Sequence, residues 1–180
     1  MRAILRLHIA ELRDTLLRDQ YIKRFGFSIV TAAAVEFMRR YSPILEVGAG
    51  CGYLAHELRR AGADVVATDL SPGSYAWEEL WTKVEKFTAA GAVSRYPRRT
   101  LLVAWPEYGG RWAAAALRRH LATGGSTVIY IGEGNGGCTA DDSFHRILYE
   151  RFERVAVHGI PQFSHLHDRI EVWDVANASK

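Results

Sequence analysis

Cysteine is scarce in this 180-residue chain: Cys51 and Cys138 are the only two, and neither belongs to a Cys-x-x-Cys pair. That excludes a disulfide framework and a cysteine-rich zinc site. Long apolar runs are missing too, and none approaches the ~18 residues of a membrane-spanning helix. The opening residues, Met1 to His8, mix arginine with apolar side chains and do not read as a secretory signal. Internal repeats, low-complexity tracts and interdomain linkers are not visible. Charge of one sign is in small surplus: 23 Lys and Arg against 20 Asp and Glu give +3, with a pI near 9.0. That surplus is scattered as the pairs Lys23-Arg24, Arg39-Arg40, Arg59-Arg60, Arg98-Arg99 and Arg118-Arg119. The pairs fall near the ends of different predicted elements, where cations suit helix C-termini. A nucleic-acid surface would gather them on one stripe. The expectation is a cytoplasmic chain with a solvated basic surface and neither a membrane nor a nucleic-acid partner.

What is present suffices for a core. The chain is 48% hydrophobic, 24% charged and 11% aromatic, far from the profile of a disordered chain. Its length suits one domain. Residues 1–42 read as an N-terminal helical cap. Leu5, Ile9, Leu12 and Leu16 make one apolar face of a helix from Ala3 to about Gln20. An aromatic linker follows from Tyr21 to Ile29, and Thr31 caps a helix from Ala32 to Arg40 that stops before Ser42-Pro43.

From residue 43 to 175 strands and helices alternate. Strands are expected at Ile44–Val47, Asp64–Asp69, Lys83–Lys86, Thr100–Trp105 and Thr127–Gly132. Helices are expected at Tyr53–Arg60, Tyr75–Leu80, Arg111–Leu121 and Asp141–Phe152, the last opened by a capping box of Thr139 and Asp142. Two further strands, Arg154–Ile160 and Arg169–Val175, have no helix between them and should close the sheet as an antiparallel hairpin. The pattern predicts an α/β fold, Rossmann-like, with a mostly parallel seven-stranded sheet and helices on both faces.

The most informative stretch is Ile44-Leu45-Glu46-Val47-Gly48-Ala49-Gly50-Cys51-Gly52-Tyr53. Glycines between a first strand and its helix let the backbone approach a ligand and present helix N-terminal amides to it. Asp69 ends the second strand, where a carboxylate can take both hydroxyls of a ribose. A nucleoside-containing ligand is therefore expected. The dinucleotide fingerprint would need a glycine where Tyr53 stands, which argues against an NAD-type oxidoreductase.

These residues resemble motif I of the class I S-adenosylmethionine-dependent methyltransferases, and the element order fits that fold from Pro43 to Val175. The resemblance implies S-adenosyl-L-methionine as cofactor. It places Glu46, Gly48, Ala49, Gly50, Gly52 and Tyr53 around its methionine portion and Asp69 on its ribose. Leu70 lies against the adenine or else in the core. The acid that the family often carries after its third strand is replaced here by Phe87-Thr88. After the fourth strand, Trp105-Pro106-Glu107-Tyr108 keeps one proline and the aromatic of amino-group methyltransferases but lacks the leading Asp or Asn. Trp105 is expected at the cofactor's edge of an acceptor wall that it shares with Tyr108, with Glu107 as a displaced carboxylate.

Three more stretches should reach the same sheet edge. One is the aromatic linker with Tyr21, Phe25 and Phe27: in the family that the chain resembles, the N-terminal segment often folds over the cofactor pocket, and plain hydrophobic packing is the alternative. The glycine-rich loop Gly132–Thr139 is close to substrate, a mobile lid, or a flexible connection with a helix cap. His165, His167 and Asp168 lie in the final hairpin, where His167 or His165 is a candidate base and a metal pair is disfavoured. The resulting expectation is methyl transfer to a small-molecule acceptor, with Glu107, Tyr108 and His167 as catalytic candidates. Another transfer or cyclisation from the same cofactor, or a non-catalytic RNA-binding module on the same fold, stand as alternatives.

Overall fold

A computed structural model describes residues 15–74 and 79–176. In chain order the elements are helix α1 (15–25), α2 (Ala32–Arg39), β1 (Ile44–Val47), α3 (Tyr53–Arg60), β2 (Val65–Asp69), β3 (Glu85–Lys86) and α4 (Ala89–Arg95). They continue with β4 (Thr100–Ala104), α5 (Trp112–Ala122), β5 (Thr127–Gly132), α6 (Asp142–Arg151), β6 (Phe152–Gly159) and β7 (Arg169–Val175).

The strands form one seven-stranded sheet in the order β3-β2-β1-β4-β5-β7-β6. β1 is central and all four of its residues are buried, because helices cover both faces of a parallel sheet. Ile44 pairs with Val65 on one side and Thr100 on the other, both in parallel register. β7 runs antiparallel between β5 and β6, so the expected closing hairpin is present at the edge.

Successive strand residues face opposite layers, and the core divides accordingly. Ile44, Leu102 and Ile129 pack with Met38 of α2 and Leu54 and Leu58 of α3. Leu45, Leu101, Val103 and Tyr130 pack on the other face with Val93 of α4, Leu117 of α5 and Phe144 of α6. Strand order reverses between β1 and β4. Such a reversal leaves a crevice beyond the carboxyl ends of those strands, where ligands of open α/β sheets bind.

Several details correct the sequence reading. Residues 21–25 are helical rather than linker; the helix ends at Gly26, whose φ of +92° suits a C-terminal glycine and whose amide bonds the Ile22 carbonyl at 2.9 Å. Residues 3–14 of the expected first helix and 75–78 of the short helix lie outside the described residues. Glu79 and Leu80 are not helical. Helix α4 was unexpected. Its sequence, Ala89-Ala90-Gly91-Ala92-Val93-Ser94-Arg95, is short and contains only one large apolar side chain, leaving no readable period. α6 is capped by Asp141, whose carboxylate accepts the Phe144 amide at 3.0 Å. Thr139 is not its cap. The chain passes from α6 straight into β6 at Phe152, and the pairing of β6 with β7 shifts register between Arg154 and Ala156. No described helix is long and apolar enough to cross a membrane.

The cap assignment is testable by urea denaturation. Asp141→Ala should cost about 1 kcal/mol, the usual worth of an N-cap, and Asp142→Ala only a few tenths.

Candidate active site

The site begins where β1 runs into its glycines. Gly48 and Gly52 have φ of +70° and +77°, a region that side chains strain. Space forbids them as well: a Cβ on Gly48 would come within 2.7 Å of the Trp112 ring, and one on Gly52 within 2.8 Å of Val84. The loop is tied down from β2. Ala49 donates its amide to Thr68 O at 3.0 Å, and Gly50 donates to Asp69 Oδ2 at 2.9 Å. The other carboxylate oxygen of Asp69 accepts the Ser71 amide at 2.7 Å. Each oxygen has a second lone pair still available to a ligand hydroxyl.

A cavity of about 770 Å³ opens at the carboxyl ends of the strands. That is toward the upper end of the ~300–1,000 Å³ usual for small-molecule sites. Gly48 contributes from β1, Asp69 and Leu70 from β2, Phe87 and Ala89 from the β3–α4 connection, and Trp105 to Tyr108 from the end of β4. Arg18 and Phe27 close it from the N-terminal segment. Leu70 is 60% exposed, so it lines the cavity and is not a core residue.

Next to it lies a pocket of about 40 Å³ bounded by Glu46, Ser28, Ala49, Tyr53 and Trp105, among others. Glu46 Oε2 and Ser28 Oγ are buried there without a hydrogen-bond partner among the described residues. Burial pushes the Glu46 carboxyl up to about 8, with the charge of Arg59 and the Ala55 amide pulling weakly the other way. Two orphaned oxygens facing a small space are suited to a donor from outside the chain, an ammonium above all.

Trp105 sits outside β4, contrary to the expected strand end, in a left-handed conformation of φ +48°. Three contacts hold it. Its amide donates to Ile131 O at 2.8 Å, its indole donates to Asp168 Oδ2 at 2.9 Å, and its ring stacks on Phe27 at 5.8 Å. Asp168 is buried, which raises its carboxyl above the ordinary value, and the Trp105 bond offsets part of that. Glu107 lines the cavity with one oxygen accepting the Trp112 indole at 2.6 Å. Tyr108 stands at the rim, 73% exposed.

The glycine-rich loop is braced rather than loose. The Tyr130 hydroxyl donates to Glu133 O at 2.8 Å and lies 2.7 Å from Thr139 Oγ1, which in turn accepts the Glu133 amide at 2.9 Å. The Glu133 carboxylate accepts the amides of Cys138 at 2.8 Å and His167 at 2.9 Å. Burial works against its charge, but those amides outweigh it and hold the carboxyl below its usual value. The His167 side chain, by contrast, is 82% exposed and lines neither cavity. The fold thus gathers Gly48, Asp69, Leu70, Trp105, Glu107 and Tyr108 around one space, with Glu46, Ala49 and Tyr53 around the adjoining one; Gly50 and Gly52 shape the loop but line neither, and His167 lies outside. Sequence reasoning gave no site role to Arg18, Ser28, Trp112 or Asp168, all recruited by tertiary packing; Ser28 lay in the aromatic linker and Asp168 in the histidine loop, both already singled out.

No protein-family model matches the chain, and no curated protein sequence matches it. Solved structures do match. Magnesium protoporphyrin IX methyltransferase from Synechocystis PCC 6803, with bound SAM, is 14% identical with a TM-score of 0.54, over 91% of this chain and 97% of that one. The glycopeptide N-methyltransferase MtfA, complexed with S-adenosyl-L-homocysteine, is 15% identical with a TM-score of 0.55, over 82% and 90%. A candidate tRNA (m1A22) methyltransferase from Streptococcus pneumoniae is 16% identical with a TM-score of 0.56, over 84% and 73%. The fold is therefore that of the class I SAM-dependent methyltransferases. These neighbours act on different acceptors, and the fold does not choose among them.

Glu46 provides a test that needs no ligand. Its carboxyl is raised in the folded state to about 8 from the ordinary 4.5, so folding takes up a proton between those values and stability falls as pH rises through that window. Glu46→Gln should match the parent near pH 4 and exceed its unfolding free energy by up to about 3 kcal/mol at pH 7. A difference independent of pH would mean that the carboxyl is ionised in the folded protein.

Proposed function

We propose that this protein is an enzyme that transfers the methyl group of S-adenosyl-L-methionine to a small-molecule acceptor. One observation carries the reading: a single cavity joins the glycine loop and Asp69 to the Trp105–Tyr108 wall. The residues suit the cofactor. Asp69 would take the ribose hydroxyls, Leu70, Phe87 and Ala89 would flank the adenine, and Glu46 with Ser28 would receive the amino-acid end in the small polar pocket. When bound, the cofactor supplies a methyl group already activated on a sulfonium. In-line displacement then asks chiefly for alignment, which the chain provides by fixing Trp105 from three directions. Glu107 has one carboxylate oxygen held by Trp112, which leaves the other to accept a proton from an acceptor that must lose one. The exposed His167 ring has no part in this reading.

A nucleic-acid acceptor has less support, because Arg18 is the only basic residue among the described lining of the cavity. An NAD-type activity has less still: Tyr53 stands at the third-glycine position and packs against Phe25 and Trp81.

Calorimetry tests the proposal directly. S-adenosylhomocysteine should bind in the micromolar range, about −8 kcal/mol, and NAD should give no comparable heat. Asp69→Ala should weaken that binding at least tenfold, as expected for charge-assisted hydrogen bonds worth ~1.5–3 kcal/mol, with an unchanged circular dichroism spectrum. NAD binding without any response to the sulfur nucleoside would overturn the reading.

A further inference from the structure

Among the described residues lining the large cavity there are two acids and one cation: Asp69, Glu107 and Arg18. Both acids are engaged by donors of this chain, Asp69 by the Gly50 and Ser71 amides and Glu107 by the Trp112 indole. Arg18 is not so engaged. Its guanidinium carbon lies 5.7 Å from the centroid of the Trp105 ring and 5.9 Å from that of Phe163. Its Nε is shielded from solvent and has no hydrogen-bond partner among the described residues. No described carboxylate forms an ion pair with it. Asp168 feels the Arg18 charge but makes no ion pair with it, and gives an oxygen to the Trp105 indole.

Contact with aromatic rings steadies a guanidinium but does not satisfy its N–H groups, which radiate within its own plane. A partly buried guanidinium whose N–H groups find no acceptor is costly to maintain. The group that completes such a fork best is a planar carboxylate, which accepts two parallel hydrogen bonds. The rest of that wall is aromatic: Phe27, Trp105, Tyr108 and Trp112 line the same cavity. Rings of this kind suit a flat, conjugated body.

On the reading of this cavity as the transfer site, we propose that the acceptor is a flat, carboxylate-bearing molecule whose carboxylate is received by Arg18. Arg18 is then a specificity-determining residue supplied by α1. It sets which molecule enters and leaves cofactor binding to the strand ends.

The test uses the full chain saturated with S-adenosylhomocysteine and titrated with benzoate, indole-3-carboxylate and the two matching carboxamides. The carboxylates should bind at least tenfold more tightly than their amides. Arg18→Gln should bring each pair to within about twofold while the S-adenosylhomocysteine affinity stays within about threefold, and Arg18→Lys, which keeps the charge, should retain part of the preference. Equal affinities in the parent protein, no binding of either carboxylate, or a preference that survives Arg18→Gln would each overturn the assignment. Should Arg18→Gln fail to fold, the comparison within the parent protein still decides. The first titration separates the two readings. If S-adenosylhomocysteine itself does not bind, the transfer-site reading fails and this inference with it; if it binds and no carboxylate preference follows, only the role of Arg18 is lost.

Discussion

The carboxyl edge of this sheet depends on one tether. Asp69 closes β2 with an oxygen on the Gly50 amide, 2.9 Å away, and so fixes the glycine loop against the neighbouring strand. Parallel pairing of β1 with β2 brings those two ends level, Val47 opposite Thr68, and the tether follows from that register. The Trp112 ring lies where a side chain on Gly48 would project, leaving the backbone as the only surface that can face a ligand there. Register, loop and the glycine side of the cavity therefore form one arrangement, and a shift in any of them displaces the others.

The two apolar layers supply the stiffness behind it. Neither layer is a continuous surface in the sequence; each is drawn from alternate residues of the same strands, so Leu101 and Leu102 serve opposite sides. This is why β1, β4 and β5 read as nearly unbroken apolar runs. Charge supports the same frame. Arg59 was read as part of a solvated pair, yet its guanidinium bonds the Val65 carbonyl at 2.8 Å and the Lys83 carbonyl at 3.1 Å, bracing the ends of β2 and β3 from α3.

The strand–loop–helix unit around Gly48 was legible because its chemistry is local: adjacent residues make the turn, and Asp69 follows at the end of the next strand. The closing hairpin was legible because no helical period separates its strands. α4 was hidden by its small residues, and the continuation of α1 through Tyr21 and Phe25 by the assumption that an aromatic cluster marks a linker. The cap at Asp141 was missed because Thr139 also fits a cap pattern; its hydroxyl is instead taken up by Tyr130 and Glu133. Arg18 and Trp112 carry no signal in the chain at all, and Ser28 only its place in the aromatic linker. They reach the cavity through packing of distant segments, which only the folded chain specifies.

The hook between Trp105 and Asp168 has a further meaning for how such a protein can diversify. It makes the side chain just beyond β4 answer to a loop 63 residues later in the chain, one that joins the edge strand β6 to its neighbour β7 and takes no part in the central pairing of the sheet. Loops of that kind tolerate insertion and exchange better than any other part of the fold. Rewriting residues 160–168 would re-aim the indole, and with it the shape offered to an incoming molecule, while the glycine turn and its carboxylate tether stayed as they are. The shape of the Trp105 wall can therefore drift independently of the turn at Gly48.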